Sequence, residues 1–212
     1  MHDGEPPGKR SSPTGYAHPV TRIIAGSAGS LRLEVPKAGT RPTSDRVREA
    51  IFSALDSWGL IEGARVLDLY AGSGALGLEA ISRGAARATL VEKHPQAAQV
   101  AGRNARTVLG AFRTASASPE VDVARQSVQH FLDEQAPVAA WDAILLDPPY
   151  DLGEEELAAN IAALPPLLDP DGVVLVERSS RSPEPSWPEG LVRIREKRYG
   201  ETVLWWSELA AR

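Results

Sequence analysis

From residue 65 onward, short apolar runs alternate with longer segments in which apolar residues recur at helical spacing. Short apolar runs bounded by polar residues predict buried strands, and the longer segments predict amphipathic helices. Strands that alternate with helices form a parallel sheet covered by helices on both faces. The pattern predicts strands at 65–70, 87–92, 120–125, 141–147 and 172–177, and helices near 75–83, 95–109, 127–135 and 153–167.

The two ends of the chain depart from this alternation. Residues 191–209 contain two runs of alternating polarity around Tyr199-Gly200, which predict a terminal antiparallel hairpin. Residues 20–36 contain two further β-like runs around a turn rich in glycine and serine. The sequence therefore predicts an α/β protein, with a mostly parallel sheet, a terminal hairpin and a second small hairpin near the N-terminus.

A helix is predicted to follow the N-terminal hairpin. Thr43-Ser44-Asp45 offers good N-cap chemistry, and the apolar residues after it fall on one helical face. Arg46 and Arg48 are predicted to lie largely off that face, where they would be free to contact a partner. The alternative is that one of these arginines pairs with Asp45 or Glu49 on the surface.

Composition divides the chain into three parts. With 212 residues, of which 42% are hydrophobic, the chain can bury one substantial core. Residues 1–18 are rich in proline, glycine and serine and are predicted to be a disordered tail. Residues 19–60 are predicted to form a hairpin-and-helix extension, and residues 61–212 the main domain.

Several protein classes are excluded by what the sequence lacks. It contains no cysteine, which excludes a disulfide framework, a cysteine nucleophile and thiolate metal sites. The N-terminus has no apolar signal region, and no apolar stretch approaches the 18 residues that indicate a membrane span. We therefore expect a cytoplasmic protein that has no membrane partner and no metal site.

Charge is distributed unevenly along the chain. Six basic residues face two acidic ones between Arg22 and Arg48, so this window carries +4. Because the whole chain carries −5, the remainder carries −9. A basic segment on an acidic body is compatible with nucleic-acid binding, although charge alone does not distinguish it from an ordinary solvated surface.

A glycine-rich loop follows the first strand of the alternating region. The spacing Gly72-x-Gly74-x-x-Gly77 matches the dinucleotide fingerprint, but it also suits any tight strand-to-helix turn. Asp68 stands just before the loop, where a carboxylate would repel a pyrophosphate. A carboxylate suits S-adenosylmethionine instead, which has an ammonium, a sulfonium and no phosphate. Glu92 ends the next strand, where an acid typically accepts both ribose hydroxyls of a bound nucleoside.

The segment Asp147-Pro148-Pro149-Tyr150 ends the fourth predicted strand. The two prolines make a stiff, extended exit from the strand, and for such a sequence alone a plain turn is the ordinary interpretation. Strand ends gather at one edge of a doubly wound sheet, so Asp147 is predicted to neighbour Asp68. The carboxylate and the Pro148 carbonyl can accept the hydrogens of an exocyclic amino group. Tyr150 can stack on a base swung out of its helix.

Six segments together resemble the RsmD-type bacterial 16S ribosomal RNA guanine methyltransferases, which methylate the exocyclic N2 of a guanine. The match covers roughly residues 20–206. The segments are RIIAGSAGSLRLEVP, RPTSDRVREAIFSAL, LDLYAGSGALGLEAISRGA, VEK, DPPY and YGETVL. The resemblance implies a class I, Rossmann-like methyltransferase domain with a seven-stranded sheet, preceded by a small β-hairpin extension for RNA.

The resemblance also implies three groups of site residues. The residues that would hold the target base are Asp147, Pro148, Pro149 and Tyr150. Those that would bind S-adenosylmethionine are Asp68, Tyr70, Gly72, Gly74, Glu92, Lys93, Ser127 and Val128. Those that would contact RNA are Arg22, Arg41, Thr43, Arg46 and Arg48.

Two features depart from the family pattern. Relatives often have Asp or Asn at the position of Ser127, where the side chain faces the adenine amino group, and a hydroxyl accepts that hydrogen bond less strongly. The loop at 111–120 is longer, and the sequence assigns it no role.

The sequence thus predicts an S-adenosylmethionine-dependent enzyme, expected to be a monomer, that methylates a guanine amino group in 16S RNA of the small ribosomal subunit. One alternative is a DNA amino-methyltransferase with the same DPPY segment, which usually needs a larger recognition domain. Another is a non-catalytic nucleic-acid-binding module, which would not need an intact Asp147. A nicotinamide oxidoreductase is disfavoured by Asp68 and DPPY.

Overall fold

The computed structural model describes residues 21–36, 43–112 and 118–211. The predicted disordered tail lies outside the described residues, as do Arg41 and the middle of the 111–120 loop.

Two short strands begin the described chain. Strand β1 (Thr21–Arg22) pairs antiparallel with strand β2 (Arg32–Leu33), so the N-terminal hairpin is confirmed, although each strand has only two residues. The Ile23 N–H still binds the Leu31 carbonyl across the hairpin, whereas the N–H groups of Ile24 and Ala25 bind the carboxylate of Glu79 at 2.7 and 3.0 Å. A side chain thus satisfies the backbone groups that a longer strand would pair.

Helix α1 (Asp45–Ser57) follows the hairpin, as predicted. Its N-cap is Ser44, whose hydroxyl accepts a hydrogen bond from the Val47 N–H at 3.3 Å. Phe52 of this helix is fully buried in the same hydrophobic cluster as Ile23 of the hairpin. The extension therefore packs into the core beside the sheet, and the predicted boundary at residue 60 stays a prediction.

Arg48 is placed differently from its prediction. Its side chain is fully buried, although the helical pattern predicted that it would lie off the apolar face. Its Nη2 donates hydrogen bonds to the Arg22 carbonyl at 2.8 Å and to Asp45 Oδ1 at 2.7 Å. These two bonds join the hairpin to the first turn of the helix, and removing one partner would leave a buried charge uncompensated. The predicted position of Arg48 off the buried face is therefore wrong, and a contact of this buried side chain with RNA stays a prediction.

A seven-stranded sheet forms the centre of the molecule. Its strands are β3 (Arg65–Leu69), β4 (Arg87–Val91), β5 (Glu120–Ala124), β6 (Trp141–Leu146), β7 (Leu168–Ser179), β8 (Leu191–Tyr199) and β9 (Thr202–Leu209). Their order across the sheet is β5-β4-β3-β6-β7-β9-β8. Strand β9 is antiparallel to both of its neighbours, and the other pairs are parallel. The predicted fold class is confirmed.

Four helices complete the layers. They are α2 (Ala75–Ser82), α3 (Pro95–Leu109), α4 (Val128–Asp133) and α5 (Glu154–Ala162). Buried residues of α1, α2 and α3 share one hydrophobic cluster with one face of the sheet, and those of α4 and α5 share a second cluster with the other face. Helix α5 ends before its predicted limit because two prolines follow, and a short 3₁₀ turn (Pro165–Leu167) leads directly into β7.

The strand order reverses direction at the centre of the sheet. Strand β3 lies between β4 and β6, so the chain crosses to one side after β3 and to the other before β6. This reversal opens a crevice at the carboxyl ends of the strands, the usual place for a ligand in such sheets. Within the described ranges, none of the helices is long and apolar enough to cross a membrane.

Candidate active site

A cleft of about 710 Å³ opens at the carboxyl ends of β3, β4 and β6. Its volume falls within the usual range for small-molecule and cofactor sites. The cleft brings together most of the residues that the sequence predicted for cofactor and base. Those that line it are Thr43, Asp68, Tyr70, Gly72, Glu92, Lys93, Ser127, Val128, Asp147, Pro148, Pro149 and Tyr150.

Asp68 lies buried near the end of β3. Its Oδ2 accepts a hydrogen bond from the Gly77 N–H at 2.9 Å. Gly77 permits this close approach, since a Cβ there would lie 2.3 Å from the Leu90 side chain. Burial, opposed by the Gly77 bond and aided by the nearby charges of Asp147 and Glu92, raises the pKa of Asp68 to about 7. A cation bound at this carboxyl group would favour its ionised form.

The loop after β3 presents backbone to the cleft. Tyr70 has a φ of +66°, a left-handed conformation that is strained for a tyrosine, and its hydroxyl accepts a hydrogen bond from Asn160 at 2.6 Å. Gly72 has a φ of +56°, and open space lies where its Cβ would be. A ligand can therefore approach the chain closely at Gly72.

Gly74 lies behind the cleft and does not line it. A Cβ on Gly74 would stand 2.8 Å from the Leu90 side chain, and its φ is +79°. Gly74 thus lets the loop turn and pack against β4, and its predicted contact with a cofactor stays a prediction.

Glu92 follows β4 and is buried at the rim of the sheet. Its Oε2 accepts the Gly72 N–H at 2.9 Å, and its Oε1 accepts the His94 N–H at 2.7 Å. These two bonds hold the carboxylate in one orientation. Each oxygen keeps further acceptor capacity, so the group can still receive two hydroxyl donors from a ligand.

The remaining predicted cofactor residues border the same cleft. Ser127 is the N-cap of α4, and its hydroxyl accepts the His130 N–H at 3.3 Å. Part of its acceptor capacity is thus used by the helix. Val128 is buried beside it and offers an apolar surface, whereas Lys93 is exposed.

The DPPY segment forms the opposite wall of the cleft, directly after β6. Thr43 Oγ1 donates a hydrogen bond to Asp147 Oδ2 at 2.7 Å. Burial raises the pKa of Asp147 to about 6, and the bond from Thr43 opposes that rise. Pro148 is buried, whereas Tyr150 is 79% exposed, so its ring is accessible to a planar partner. The predicted proximity of Asp68 and Asp147 is confirmed, since their charges interact and their strands are adjacent.

The sequence analysis missed Glu177, a buried acid on β7 that also lines the cleft. Its Oε2 lies 3.4 Å from Thr43 Oγ1. Burial raises the pKa of Glu177 to about 9, with a further contribution from the charge of Asp147. The available signal was an acid that closes the apolar run 173–176.

The predicted RNA-binding residues are dispersed. Arg46 is exposed on the first turn of α1, and Arg22 is exposed and pairs with Asp45 at 3.4 Å. Thr43 faces Asp147 in the cleft. Among the described residues, Arg22 and Arg46 are thus the predicted RNA-binding arginines that stay exposed, and Arg22 is paired with an acid.

The fold is that of the class I methyltransferases. The putative methyltransferase yhhF from Escherichia coli has a solved structure that superposes with a TM-score of 0.73 at 30% identity, covering 92% of this chain and 100% of that one. Magnesium protoporphyrin IX methyltransferase from Synechocystis PCC 6803, solved with bound SAM, shows the same fold at a TM-score of 0.59 and 15% identity, covering 81% of this chain and 87% of that one.

The chain belongs to the family described as Conserved hypothetical protein 95, whose model matches residues 21–208. Ribosomal RNA small subunit methyltransferase D of Escherichia coli K12 is 34% identical over 184 residues, which are 86% of each chain. The putative rRNA methyltransferase YlbH of Bacillus subtilis 168 is 33% identical over 185 residues, 85% of this chain and 95% of that one. The predicted resemblance to the RsmD type is confirmed.

Proposed function

We propose that the protein transfers a methyl group from S-adenosylmethionine to the exocyclic N2 amino group of a guanine in 16S ribosomal RNA. The names of its relatives support ribosomal RNA as the substrate. The proposed target lies in the small ribosomal subunit or its precursor, and the protein acts on it as a cytoplasmic monomer.

One observation carries this proposal: two sets of acceptors with different uses face a single cleft. Asp68, Gly72 and Glu92 line one part of it, and Asp147, Pro148 and Tyr150 line another. The first set suits a nucleoside with a cationic tail, and the second suits an amino group on a flat ring. A two-substrate transfer requires both sets in one enclosure.

The residues of the first set fit S-adenosylmethionine. The carboxylate of Glu92 is already oriented by two backbone donors, which suits it to the paired hydroxyls of a ribose. Asp68 supplies a buried negative charge for an ammonium group, and Gly72 leaves the backbone accessible. When bound, S-adenosylmethionine supplies an electrophilic methyl group on its sulfonium.

The residues of the second set orient the nucleophile. Asp147 Oδ2 receives the Thr43 hydroxyl, which leaves Oδ1 for one amino hydrogen, and the Pro148 carbonyl can take the other. Holding both hydrogens concentrates the nitrogen lone pair, which is otherwise delocalised into the ring. Such positioning can lower a barrier by about 7–11 kcal/mol. Stacking of the base on Tyr150 would contribute about 1–3 kcal/mol.

The test is transfer of labelled methyl from S-adenosylmethionine to small subunits that lack methylation. Naked 16S RNA and duplex DNA are assayed beside them, and the products are digested to nucleosides. The proposal expects N2-methylguanosine from an RNA substrate. Labelled N6-methyladenine or a methylated cytosine from DNA would support the DNA amino-methyltransferase instead. Absence of transfer to every substrate, with intact cofactor binding, would support a binding module.

A further inference from the structure

Three side chains from three separate elements meet at the base-binding wall of the cleft. Thr43 precedes α1, Asp147 follows β6, and Glu177 belongs to β7. The register of the two strands brings the acids together, because Leu146 is the direct partner of Val176. The hydroxyl of Thr43 stands between the two carboxyl groups, 2.7 Å from Asp147 and 3.4 Å from Glu177.

Glu177 has no cationic partner among the described residues that could balance a negative charge. Its neighbour Arg178 pairs with Glu154, and the residue opposite Glu177 on β9 is Leu204. Two carboxylates this close in a buried setting do not both ionise. Burial and the charge of Asp147 raise the pKa of Glu177 well above that of Asp147, so Glu177 retains its proton at neutral pH.

This protonation state satisfies every group in the cluster. The single Thr43 hydrogen can serve only one acid and goes to Asp147, at the shorter distance of 2.7 Å. The Thr43 oxygen, 3.4 Å from Glu177, is then free to accept the acid hydrogen of a protonated Glu177. The hydrogen bonds then run in one direction, from Glu177 through Thr43 to Asp147. One oxygen of an ionised Asp147 is held fixed, and the other is left for the substrate.

We propose that Glu177 and Thr43 are positioning residues that keep Asp147 ionised and in one orientation for the target amino group. This inference rests on the proposed function. Glu177 acts as a neutral hydrogen-bond donor, so its loss of the proton at high pH breaks the chain of bonds and places a second charge beside Asp147.

Other titratable groups line the same cleft and would contribute to a pH profile. They are Asp68, Tyr70, Glu92, Lys93, His94, Tyr150, Asp151, Glu156, Tyr199 and Glu201. These groups are still present when Glu177 is replaced. A difference between the pH profiles of the wild type and a Glu177 variant therefore reports on Glu177.

The test compares single-turnover methyl transfer between pH 5 and pH 10 for the wild type and five variants, at saturating cofactor and RNA. The wild-type rate falls on the alkaline side as Glu177 ionises. Glu177→Gln keeps a neutral donor, so it retains most of the turnover at neutral pH and loses the alkaline fall. Glu177→Ala loses turnover at neutral pH by about two- to tenfold, the loss expected for a hydrogen bond between neutral groups.

Thr43 gives a second pair of variants. Thr43→Val removes the bond that lowers the pKa of Asp147, so the acid limb of the profile moves to higher pH. Thr43→Ser keeps the hydroxyl, so the acid limb of its pH profile stays where it is in the wild type. Glu208→Gln, an exposed acid of β9, is the matched control and leaves the profile unchanged.

Infrared difference spectroscopy tests the protonation state without any substrate. The wild type at pH 8 shows a protonated carboxyl band that Glu177→Gln lacks. Equal profiles for the wild type and both Glu177 variants would overturn the inference, and so would a Glu177→Gln variant as slow as Glu177→Ala. A wild type that transfers methyl to no RNA would instead overturn the proposed function.

Discussion

At the scale of single residues, the two central acids of the cleft differ in what they touch. Asp68 receives a backbone N–H at the start of α2, whereas Asp147 receives the Thr43 hydroxyl at the wall that bears Tyr150. They are near enough for their charges to interact. Their proposed roles are nevertheless separable, since one would hold the donor and the other the target.

Asp147→Ala should reduce methyl transfer at least about a hundredfold, because a displaced target amine loses the alignment on which the rate depends. The dissociation constant for S-adenosylmethionine, measured by calorimetry, should change little. Asp171→Ala, an exposed acid that does not line the cleft, serves as the control and should keep normal turnover. Near-normal turnover in Asp147→Ala would remove this residue from the mechanism.

Cofactor affinity should depend on pH through Asp68. Its pKa of about 7 is that of the cofactor-free protein, and a bound ammonium favours the ionised form. Affinity is therefore fully present above pH 7 and should weaken as pH falls, by up to about tenfold per pH unit. Calorimetric titrations from pH 5.5 to 8 would measure this slope. Asp68→Asn should bind weakly with a flat profile, and a flat wild-type profile would contradict the role of Asp68.

Residue-level features were predictable where chemistry is local in sequence. Asp68, Glu92 and Asp147 each stand at or near the end of a strand, which their sequence neighbours reveal. Arg48 and Glu177 were not predictable in this way. Arg48 is buried because a carbonyl 26 positions away receives its guanidinium, and Glu177 is set beside Asp147 by strand register.

At the scale of elements, one helix holds the hairpin. Glu79 of α2 is fully buried, binds two hairpin N–H groups and pairs with Arg83 at 2.7 Å. Its neighbour Ser82 also donates a hydrogen bond to the Ala25 carbonyl. The hairpin strands are too short to be stable alone, so these tertiary bonds define its conformation.

Glu79→Ala should lower the free energy of unfolding by about 3–5 kcal/mol, since it leaves two backbone donors and a partly buried arginine without their partner. Urea denaturation followed by circular dichroism would measure it. Glu49→Ala removes only the exposed partner of the same Arg83 and should cost about 0–1 kcal/mol. Similar losses of unfolding free energy in the two variants would mean that the buried carboxylate of Glu79 does not hold the hairpin in place.

The elements of the central sheet were predictable because their apolar runs are nearly continuous, as expected for strands buried on both faces. The ends of α5 and β7 were less predictable from the sequence. A helix pattern continues through Leu164, and only the proline pair shows where it must stop. The lengths of β1 and β2 were overestimated, because a β-like pattern does not reveal that a distant glutamate will bind the backbone.

At the scale of the whole molecule, the distribution of charge is the feature that would direct RNA to the cleft. The chain as a whole is acidic, and uncharged residues of its basic window, Thr43 among them, line the cleft. Phosphate contacts release counterions, so each basic residue that binds RNA adds to the salt dependence of binding.

Arg41→Ala combined with Arg46→Ala should weaken RNA binding and reduce its salt slope by about one per arginine. Cofactor affinity and thermal stability should stay nearly intact. Binding measured by filter retention at several salt concentrations provides the test, with Arg106→Ala of α3, an exposed arginine, as the control. An unaltered slope would place the RNA entry surface elsewhere, and the basic strand 193–198 would be examined next.

The position of Thr43 has a consequence for recombination between relatives. The cleft is lined in part by residues of the N-terminal extension: Val35, Pro36, Thr43, Ser44 and Val47. The extension therefore supplies part of the wall of the cleft in which the reaction is proposed to occur. A chimera that grafts another extension onto this sheet would exchange substrate preference and reaction geometry together.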